Sequence, residues 1–154
     1  MIRELICAAF LSMASATAPT QPHAIVGDWT MQLPGAVRME NGEQTITYVK
    51  GTLNVVAQGD SLIATLATEP VEGRPARPPA RMAVATSAAG GTVTFTPRSE
   101  ATLNMNGEEV KRTSISTYAF TVTGDALKGT ITRSIEGLDI PMNPVDITGT
   151  RVKK

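Results

Sequence analysis

Side chains able to hold a charged group cluster in the last third of this sequence. Ser116 and Tyr118 alternate along a segment with strand-like patterning, and Arg112 lies on the same phase four residues earlier. If the chain folds back at Gly124-Asp125, Arg133 comes to lie opposite Ser116. A guanidinium is costly to bury without a partner, and beside hydroxyl groups it can hold an anion. We therefore expect Arg133, Tyr118, Ser116 and Arg112 to bind the polar end of a small apolar or amphipathic ligand.

Groups suited to catalysis or metal binding are sparse. Nucleophilic catalysis needs a base beside the nucleophile, and the single histidine, His23, lies in a Pro-containing N-terminal stretch with nothing to orient it. The sequence has no histidine pair, no calcium-loop spacing and no cysteine after Cys7, so the usual zinc and calcium ligand sets are missing. Gly90-Gly91 precedes a strand and indicates a turn. We predict no enzyme, no metal and no cofactor.

The N-terminus has the composition of a secretory signal peptide. Arg3 precedes an apolar run over residues 5–14, and small residues supply cleavage sites after Ala16 or after Ala18. This run is shorter than the roughly 20 residues needed to cross a membrane. The prediction is a periplasmic or secreted protein without an integral membrane segment in its mature chain, organised as a signal peptide (1–18), a tail (19–25) and one domain (26–152).

The charge balance excludes one class of partner. The chain has 14 basic and 14 acidic side chains, and removal of the signal peptide takes away one of each. A neutral chain offers no basic footprint for a polyanion, so we predict no nucleic-acid partner.

The sequence pattern around these residues predicts β-strands. Beyond Ile25, apolar and polar residues alternate, and Gly-Asp, Asn-Gly and Gly-Gly pairs interrupt the alternation. The pattern predicts eight strands, at about 26–33, 44–57, 61–68, 80–86, 91–105, 108–122, 126–135 and 144–152.

Three tight turns, at Gly59-Asp60, Asn106-Gly107 and Gly124-Asp125, predict a register in which apolar residues meet. The predicted pairs are Ala57 with Leu62, Val55 with Ala64, Leu53 with Leu66, Leu103 with Val110, Phe95 with Tyr118, Val93 with Phe120, Val122 with Leu127, Phe120 with Gly129, and Tyr118 with Ile131.

Closure of the sheet is favoured by its connections. Most neighbouring strands are joined by hairpins, and closure removes exposed edges, so we expect an all-β, eight-stranded antiparallel up-and-down barrel. An outer-membrane barrel is disfavoured, because its lipid face would carry Arg98, Glu100 and Lys111 in place of an apolar band.

The two ends of the predicted domain carry a family resemblance. Gly27-Asp28-Trp29 opens the first strand and Arg151 lies near the end of the last, which resembles the lipocalin-like (calycin) superfamily, above all its small exported bacterial barrels. The resemblance implies that Gly27, Trp29 and Arg151 close one mouth of the barrel, with the guanidinium stacked on the indole. It also implies a ligand in the interior, since fatty-acid-binding calycins hold a carboxylate with an arginine and a tyrosine.

Alternatives remain open for several of these residues. Arg133 and Arg112 could extend from strand ends into water. Met31, Met82 and Met105 fall on inward phases, where thioethers either fill a core or line an adaptable pocket.

The segment 69–81 supports an alternative function. Arg74, Arg77 and Arg81 stand there among four prolines and a glycine, a composition typical of an extended, polyproline-like loop. Such a loop is either a solvated connector or the docking element of a protein-interaction module, for example an inhibitor or envelope adaptor built on an inert barrel.

Overall fold

The computed structural model describes residues 23–73, 76–85, 91–139 and 143–154. The predicted signal peptide, most of the predicted tail, Arg74, Pro75 and Gly90 therefore lie outside the described residues. The described chain is all-β and forms one antiparallel sheet of nine strands. The strands are β1 Gly27–Glu40, β2 Glu43–Gln58, β3 Ser61–Thr68, β4 Ala80–Ala85, β5 Thr92–Phe95, β6 Arg98–Met105, β7 Glu108–Thr123, β8 Ala126–Ile135 and β9 Val145–Arg151.

The predicted register is confirmed at every pair derived from the three turns. Ser116 also lies opposite Arg133, as the turn at Gly124-Asp125 predicts. At the Asn106-Gly107 turn both residues have positive φ, 55° and 86°, the combination that matches the twist of a two-residue hairpin. The tight turns thus keep the apolar side chains of successive strands on the same face of the sheet.

The predicted count of eight strands is wrong by one. The segment predicted as a single strand over 91–105 is divided into β5 and β6 at Thr96-Pro97, where Pro97 has no N–H for a ladder. Both pieces pair with β7 in one continuous register, so the break leaves the parity of the inward face unchanged.

The first strand is also longer than predicted. We expected it to end at Leu33, before Pro34-Gly35, but β1 continues to Glu40 and turns into β2 at Asn41-Gly42. The register with β2 shifts between Pro34 and Ala36, so the bulge absorbs the breaker residues. Beyond Gln32, β1 pairs with β2 alone, and a proline is tolerated on such an edge.

Consecutive strands are neighbours almost throughout, and the first strand pairs with the last. The hydrogen-bonded path runs β4-β3-β2-β1-β9-β8-β7-β5, with β6 beside β7. Within the described residues no ladder joins β4 to β5, although Cα atoms of these two strands come within 8 Å of one another. Residues 86–90, which connect them, lie outside the described part.

The inward face of the sheet encloses one apolar core. No polar or charged residue is buried among the described residues. The buried side chains are Ile25, Trp29, Met31, Leu33, Leu53, Val55, Leu62, Ala64, Leu66, Met82, Val93, Phe95, Tyr118, Phe120, Leu127, Ile131, Val145 and Ile147. The described ranges include no helix long and apolar enough to span a membrane.

The core has two ends. The plugged end holds the turn at residues 23–26, Trp29 and Arg151. The loop end is the opposite end of the same strands, where Tyr118 and Arg133 lie and where the connection from β3 to β4, residues 69–79, leaves the sheet.

Candidate functional site

The plugged end is a saturated arrangement around Trp29. The indole is fully buried, and its Nε1–H donates a hydrogen bond of 2.8 Å to the carbonyl oxygen of Ile25. The Arg151 guanidinium lies over the ring, with Cζ 4.3 Å from the ring centroid, a cation–π geometry. The contact that the lipocalin-like resemblance implied is therefore present.

The remaining groups of Arg151 are also engaged. Nη1 donates to the carbonyl oxygen of Val26 at 2.9 Å and Nη2 to that of Ala24 at 2.6 Å, while Nε lies 3.5 Å from Oδ1 of Asp125. Gly27 leaves room for this head group, because a Cβ there would lie 2.9 Å from Nη1 and its φ of +134° disfavours any other residue. Each of the three guanidinium nitrogens of Arg151 therefore has a partner within the protein.

Residues 23–25, at the end of the predicted tail, form part of the plugged end. Ile25 is fully buried, and the backbone N–H of Val26 closes a turn on the carbonyl oxygen of His23 at 2.9 Å. Nδ1 of His23 accepts a hydrogen bond of 3.3 Å from the N–H of Ile25. The interpretation of His23 as an unoriented tail residue is therefore wrong: it helps to hold the turn against the core.

The loop end is built on Tyr118, whose ring is nine-tenths buried. The ring stacks on Phe120 at a centroid distance of 6.1 Å, and Phe95 meets Phe120 edge-on at 6.0 Å. Tyr118 lies opposite Ile131, and two residue pairs further out, on the same face of the sheet, Ser116 lies opposite Arg133. The aromatic cluster thus fixes the phenol at the rim of the apolar core.

Two arginines act on the Tyr118 hydroxyl. Burial raises the pKa of this phenol, while the guanidinium of Arg133 and, to a smaller extent, the charge of Arg77 oppose the rise. The phenol is therefore protonated at neutral pH and lies within the field of two guanidiniums. Arg133 comes from β8, whereas Arg77 comes from the loop between β3 and β4.

Neither arginine is neutralised by an acidic side chain. Among the residues that the structure describes, Arg98 pairs with Glu136 and Lys111 pairs with Glu100, but Arg133 and Arg77 form no salt bridge. Both side chains are exposed. The alternative that Arg133 extends into water agrees with its exposure, and its register, two residues beyond the partner of Tyr118, places its backbone next to the rim of the core.

Arg112 and Ser116 are placed differently from each other. Ser116 is half-buried beside Arg133, and its backbone N–H donates to the carbonyl oxygen of Pro97 at 3.0 Å. Arg112 is exposed on the projecting β6–β7 hairpin, where its Nη1 would lie 3.6 Å from a Cβ at Gly137. The structure brings Ser116, Tyr118 and Arg133 together and leaves Arg112 outside the group.

The interior itself is filled by the chain's own side chains. Met31 is fully buried between Gly51 and Gly149, and a Cβ at Gly149 would lie 2.5 Å from the Met31 sulfur. Met82 is buried as well, whereas Met105 is half-buried on the projecting hairpin. Met31 therefore fills the core, with glycines making room for its thioether.

A small groove opens beside the loop end, between the β3–β4 connection and the bulge of β1. Its cavity volume is about 30 Å³, roughly the space of one water molecule. The lining residues are Pro34, Gly35, Val49, Thr68, Glu69, Pro70, Val71, Ala76 and Arg77.

Sequence reasoning did not connect Arg77 with Tyr118. It was one of three arginines in a loop without periodicity, and nothing local distinguishes it from Arg81. Only the path of the loop brings its charge to Tyr118.

Comparison of the chain with protein-family models, with curated proteins and with solved structures found no significant match. In the part of the chain that the structure describes, no group of three or more His, Cys, Asp or Glu side chains is arranged to hold a metal ion. The functional argument therefore rests on the geometry of the two ends.

Proposed function

We propose that this chain is an exported lipocalin-like barrel that binds a small anionic amphipathic molecule at its loop end. Arg133 and Tyr118 hold the head group, and the half-buried Ser116 lies beside them. The observation that carries the proposal is the pairing of Arg133, which has no acidic partner among the described residues, with a phenol at the rim of an apolar core. Guanidinium and phenol together are suited to bind an oxyanion.

The barrel itself is part of the proposal. Pairing of β1 with β9 joins the two ends of the chain, which leaves β4 and β5 as the one interruption in the ring of described strands. Their Cα atoms approach within 8 Å, so a modest displacement would complete an up-and-down barrel. The Arg151–Trp29 contact supports the same assignment, because it joins the first and last strands at one mouth.

The ligand is proposed to bind at the mouth rather than deep inside. Met31 and Phe120 are fully buried in the core, and the equally buried Trp29 fills its plugged end. The groove beside the β1 bulge is lined in part by apolar side chains, including Val49 and Val71, together with Glu69 and Arg77. In this arrangement an alkyl chain would enter the groove as the loop moves outward, while the head group meets Arg133.

We also propose that this protein is exported, catalyses no reaction and binds no nucleic acid. Export is supported by the signal-like composition of residues 1–18, with cleavage near Ala16 or Ala18. The balanced charge supports the absence of a polyanion footprint.

The direct test is isothermal titration calorimetry with dodecanoate. Arg133→Gln should weaken binding by about tenfold or more, since hydrogen bonds to charged groups contribute about 1.5–3 kcal/mol. Arg38→Gln removes an equally exposed arginine from the β1–β2 hairpin and should leave the affinity within about twofold. The proposal fails if the wild type binds no dodecanoate, or if Arg133→Gln binds it as tightly as the wild type.

A second candidate, a protein-interaction module working through the loop, is favoured by one observation. Val71 is 40% exposed in the connection between β3 and β4, and an exposed apolar side chain among prolines suits docking to a protein. Replacing residues 70–79 by a short Gly-Ser linker should then abolish capture of a partner and leave thermal stability nearly unchanged. Unchanged dodecanoate binding by that variant, together with lost capture, would favour this candidate over the first.

A further inference from the structure

We propose that β6 pairs with β6 of a second copy of this chain, so that the protein forms a symmetric antiparallel dimer through the free edge of this strand. The free edge is the backbone side of β6, Arg98–Met105, that faces away from β7. Among the residues that the structure describes, β6 pairs with β7 alone. The dimer is independent of ligand binding at the loop end.

The hydrogen-bonding pattern determines which backbone groups of β6 reach the free edge. Ser116 donates its N–H to the carbonyl oxygen of Pro97 at 3.0 Å, and hydrogen-bonded pairs of an antiparallel ladder recur at every second residue. Odd-numbered residues of β6 therefore direct their N–H and C=O groups toward β7, in agreement with a two-residue turn between Met105 and Glu108. The even-numbered residues direct theirs to the free edge, and these are Arg98, Glu100, Thr102 and Asn104.

This edge lacks the features that block other edges of the sheet. β6 contains no proline and no lysine, and its register with β7 has no bulge, although these are common means of protecting an exposed strand. In contrast, β1 has Pro34 and a bulge beyond its pairing with β9, and Cα atoms of β4 come within 8 Å of β5. Among the described strands, β6 is therefore best suited to add a partner strand.

Half-buried apolar side chains lie next to the free edge. Ala101, Leu103 and Met105 share the inward face of β6, and each remains partly exposed to solvent. A strand added at this edge places its own side chains beside them, and such cross-strand contacts between apolar residues are favourable. Pairing at the edge therefore covers apolar surface as well as backbone groups.

The charges of the β6–β7 hairpin identify a second copy as the partner. Its turn end, residues 104–109, carries Glu108 and Glu109 and no cation. Its base has three cations and one carboxylate around a groove of about 290 Å³, lined by Arg98, Ser99, Glu100, Lys111, Arg112 and Thr113. An antiparallel pair of identical hairpins places the acidic end of each beside the basic base of the other. This arrangement is self-complementary, as a two-fold symmetric interface requires.

One register satisfies both the backbone and the charges. With Ala101 on the two-fold axis, Arg98 lies opposite Asn104 of the second copy, and all four even-numbered residues form hydrogen-bonded pairs. Glu109 flanks Asn104 on the same face, so it comes within two strand spacings, about 10 Å, of Arg98 in the other copy. Arg98 lies 3.5 Å from Glu136, but both side chains are more than half exposed, and such a surface pair is weak enough to rearrange.

Sedimentation equilibrium of the mature chain tests the dimer. The wild type should dimerise with a dissociation constant of about 1–100 μM, because pairing along one strand buries less area than a standard interface. Thr102→Pro removes an N–H from the free edge and none from the ladder with β7, so it should weaken dimerisation by about tenfold or more. Thr102→Val keeps this N–H and should dimerise as the wild type does. Circular dichroism shows whether each variant keeps its sheet.

A charge exchange tests the orientation without changing the backbone. Arg98→Glu places a carboxylate beside the acidic turn of the other copy and should weaken dimerisation by about fivefold or more. Adding Glu109→Arg restores opposite charges across the interface and should return the dissociation constant to within about threefold of the wild type. The matched control is Glu136→Gln, which removes the Arg98–Glu136 pair within one chain and should leave dimerisation unchanged.

Disulfide cross-linking tests the register, since the chain has no cysteine after Cys7. Ala101→Cys places the two Cα atoms about 4.5 Å apart on the axis, within the range of a disulfide, so mild oxidation should yield a covalent dimer. Leu103→Cys is the control, because its two Cα atoms would lie about 13 Å apart, and it should yield little covalent dimer.

The outcomes separate the parts of this inference. A wild type that stays monomeric at about 500 μM overturns the dimer and leaves the edge to a strand of another protein. A dimer that Thr102→Pro leaves intact overturns the role of β6, and failure of Glu109→Arg to rescue Arg98→Glu overturns the antiparallel arrangement. Dodecanoate binding by the monomer is measured separately, so failure of the dimer leaves the proposed function in place.

Discussion

Both ends of the sheet combine an aromatic side chain with an arginine, yet the two arginines differ in what they contact. Arg151 covers Trp29, donates to two backbone carbonyls and lies beside Asp125. Arg133 lies on β8 two residues beyond Ile131, the partner of Tyr118, and has no acidic partner in the part of the chain that the structure describes. The guanidinium of Arg151 is held by contacts within the fold, whereas that of Arg133 is exposed to solvent.

This difference distinguishes an arginine that stabilises the fold from one that we propose to bind a ligand. Charged groups near a core are retained when their donors are used, because unpaired ones are costly. Donors that are used within the protein indicate a structural role, whereas donors that face solvent at the rim are open to the external anion that we propose. Variants at the two ends should therefore have opposite effects on stability and binding.

The largest effect is expected for Trp29→Ala. Removing a fully buried indole from a packed core should lower the free energy of unfolding by about 3–5 kcal/mol. Urea denaturation followed by circular dichroism measures this change. Trp29→Phe, which keeps a ring but loses the hydrogen bond to Ile25, should cost clearly less. Equal losses in the two variants would show that ring packing is not what closes this end.

Arg151→Gln should be the next most damaging change. The carbonyl oxygens of Ala24 and Val26 lose their donor and Trp29 loses its cation, so we expect a loss of about 1–3 kcal/mol in unfolding free energy. Dodecanoate binding at the far end should be unchanged once the variant is folded. A variant as stable as the wild type would contradict the structural role of this arginine.

The variant Tyr118→Phe should change how the free energy of unfolding depends on pH. Because the folded-state pKa of Tyr118 is raised, its stabilisation is complete below the ordinary tyrosine pKa of about 10 and is lost as pH rises through the folded value. The wild type should therefore lose stability above about pH 10 more steeply than Tyr118→Phe.

Urea denaturation between pH 8 and pH 11 measures this difference. Tyr48→Phe is the matched control, since that phenol is 44% exposed, and it should retain the alkaline slope of the wild type. Identical slopes in wild type and Tyr118→Phe would mean that the loop-end phenol is not desolvated.

The smallest stability effect is expected for Arg133→Gln. Its side chain is exposed and unpaired with any carboxylate among the described residues, so the unfolding free energy should change by less than about 0.5 kcal/mol. Thermal unfolding of this variant beside Arg151→Gln gives the comparison directly. A loss as large as that of Arg151→Gln would make Arg133 a structural residue and remove the contrast between the two ends.

Much of the framework was predictable because strand parity is local. The hairpins at Gly59-Asp60 and Gly124-Asp125 and the pairing of Phe95 with Tyr118 follow from alternation about a tight turn. The extension of β1 beyond Pro34 was missed, since breaker residues hide a strand that a bulge can accommodate. Ile25 was assigned to a tail because one apolar residue before a strand carries no periodic signal.

The candidate site was predictable only in part. Ser116, Tyr118 and Arg133 share a register that the sequence encodes, and they lie together at the loop end. Arg112 has the same parity but lies further along a projecting hairpin, because parity determines the face and not the depth along a strand. Arg77 could not be predicted, because the return of an irregular loop depends on contacts between distant segments.

The sequence alone determined the all-β class, the order of the hairpins and the face on which each strand side chain lies. These properties depend on the period of two in a strand and on the geometry of two-residue turns. The pairing of β1 with β9 agrees with the expected order of an up-and-down barrel. The tertiary structure alone decided that the turn at residues 23–26 plugs one end, because Arg151 holds this turn from more than a hundred positions away and neither alternation nor turn chemistry specifies such a contact.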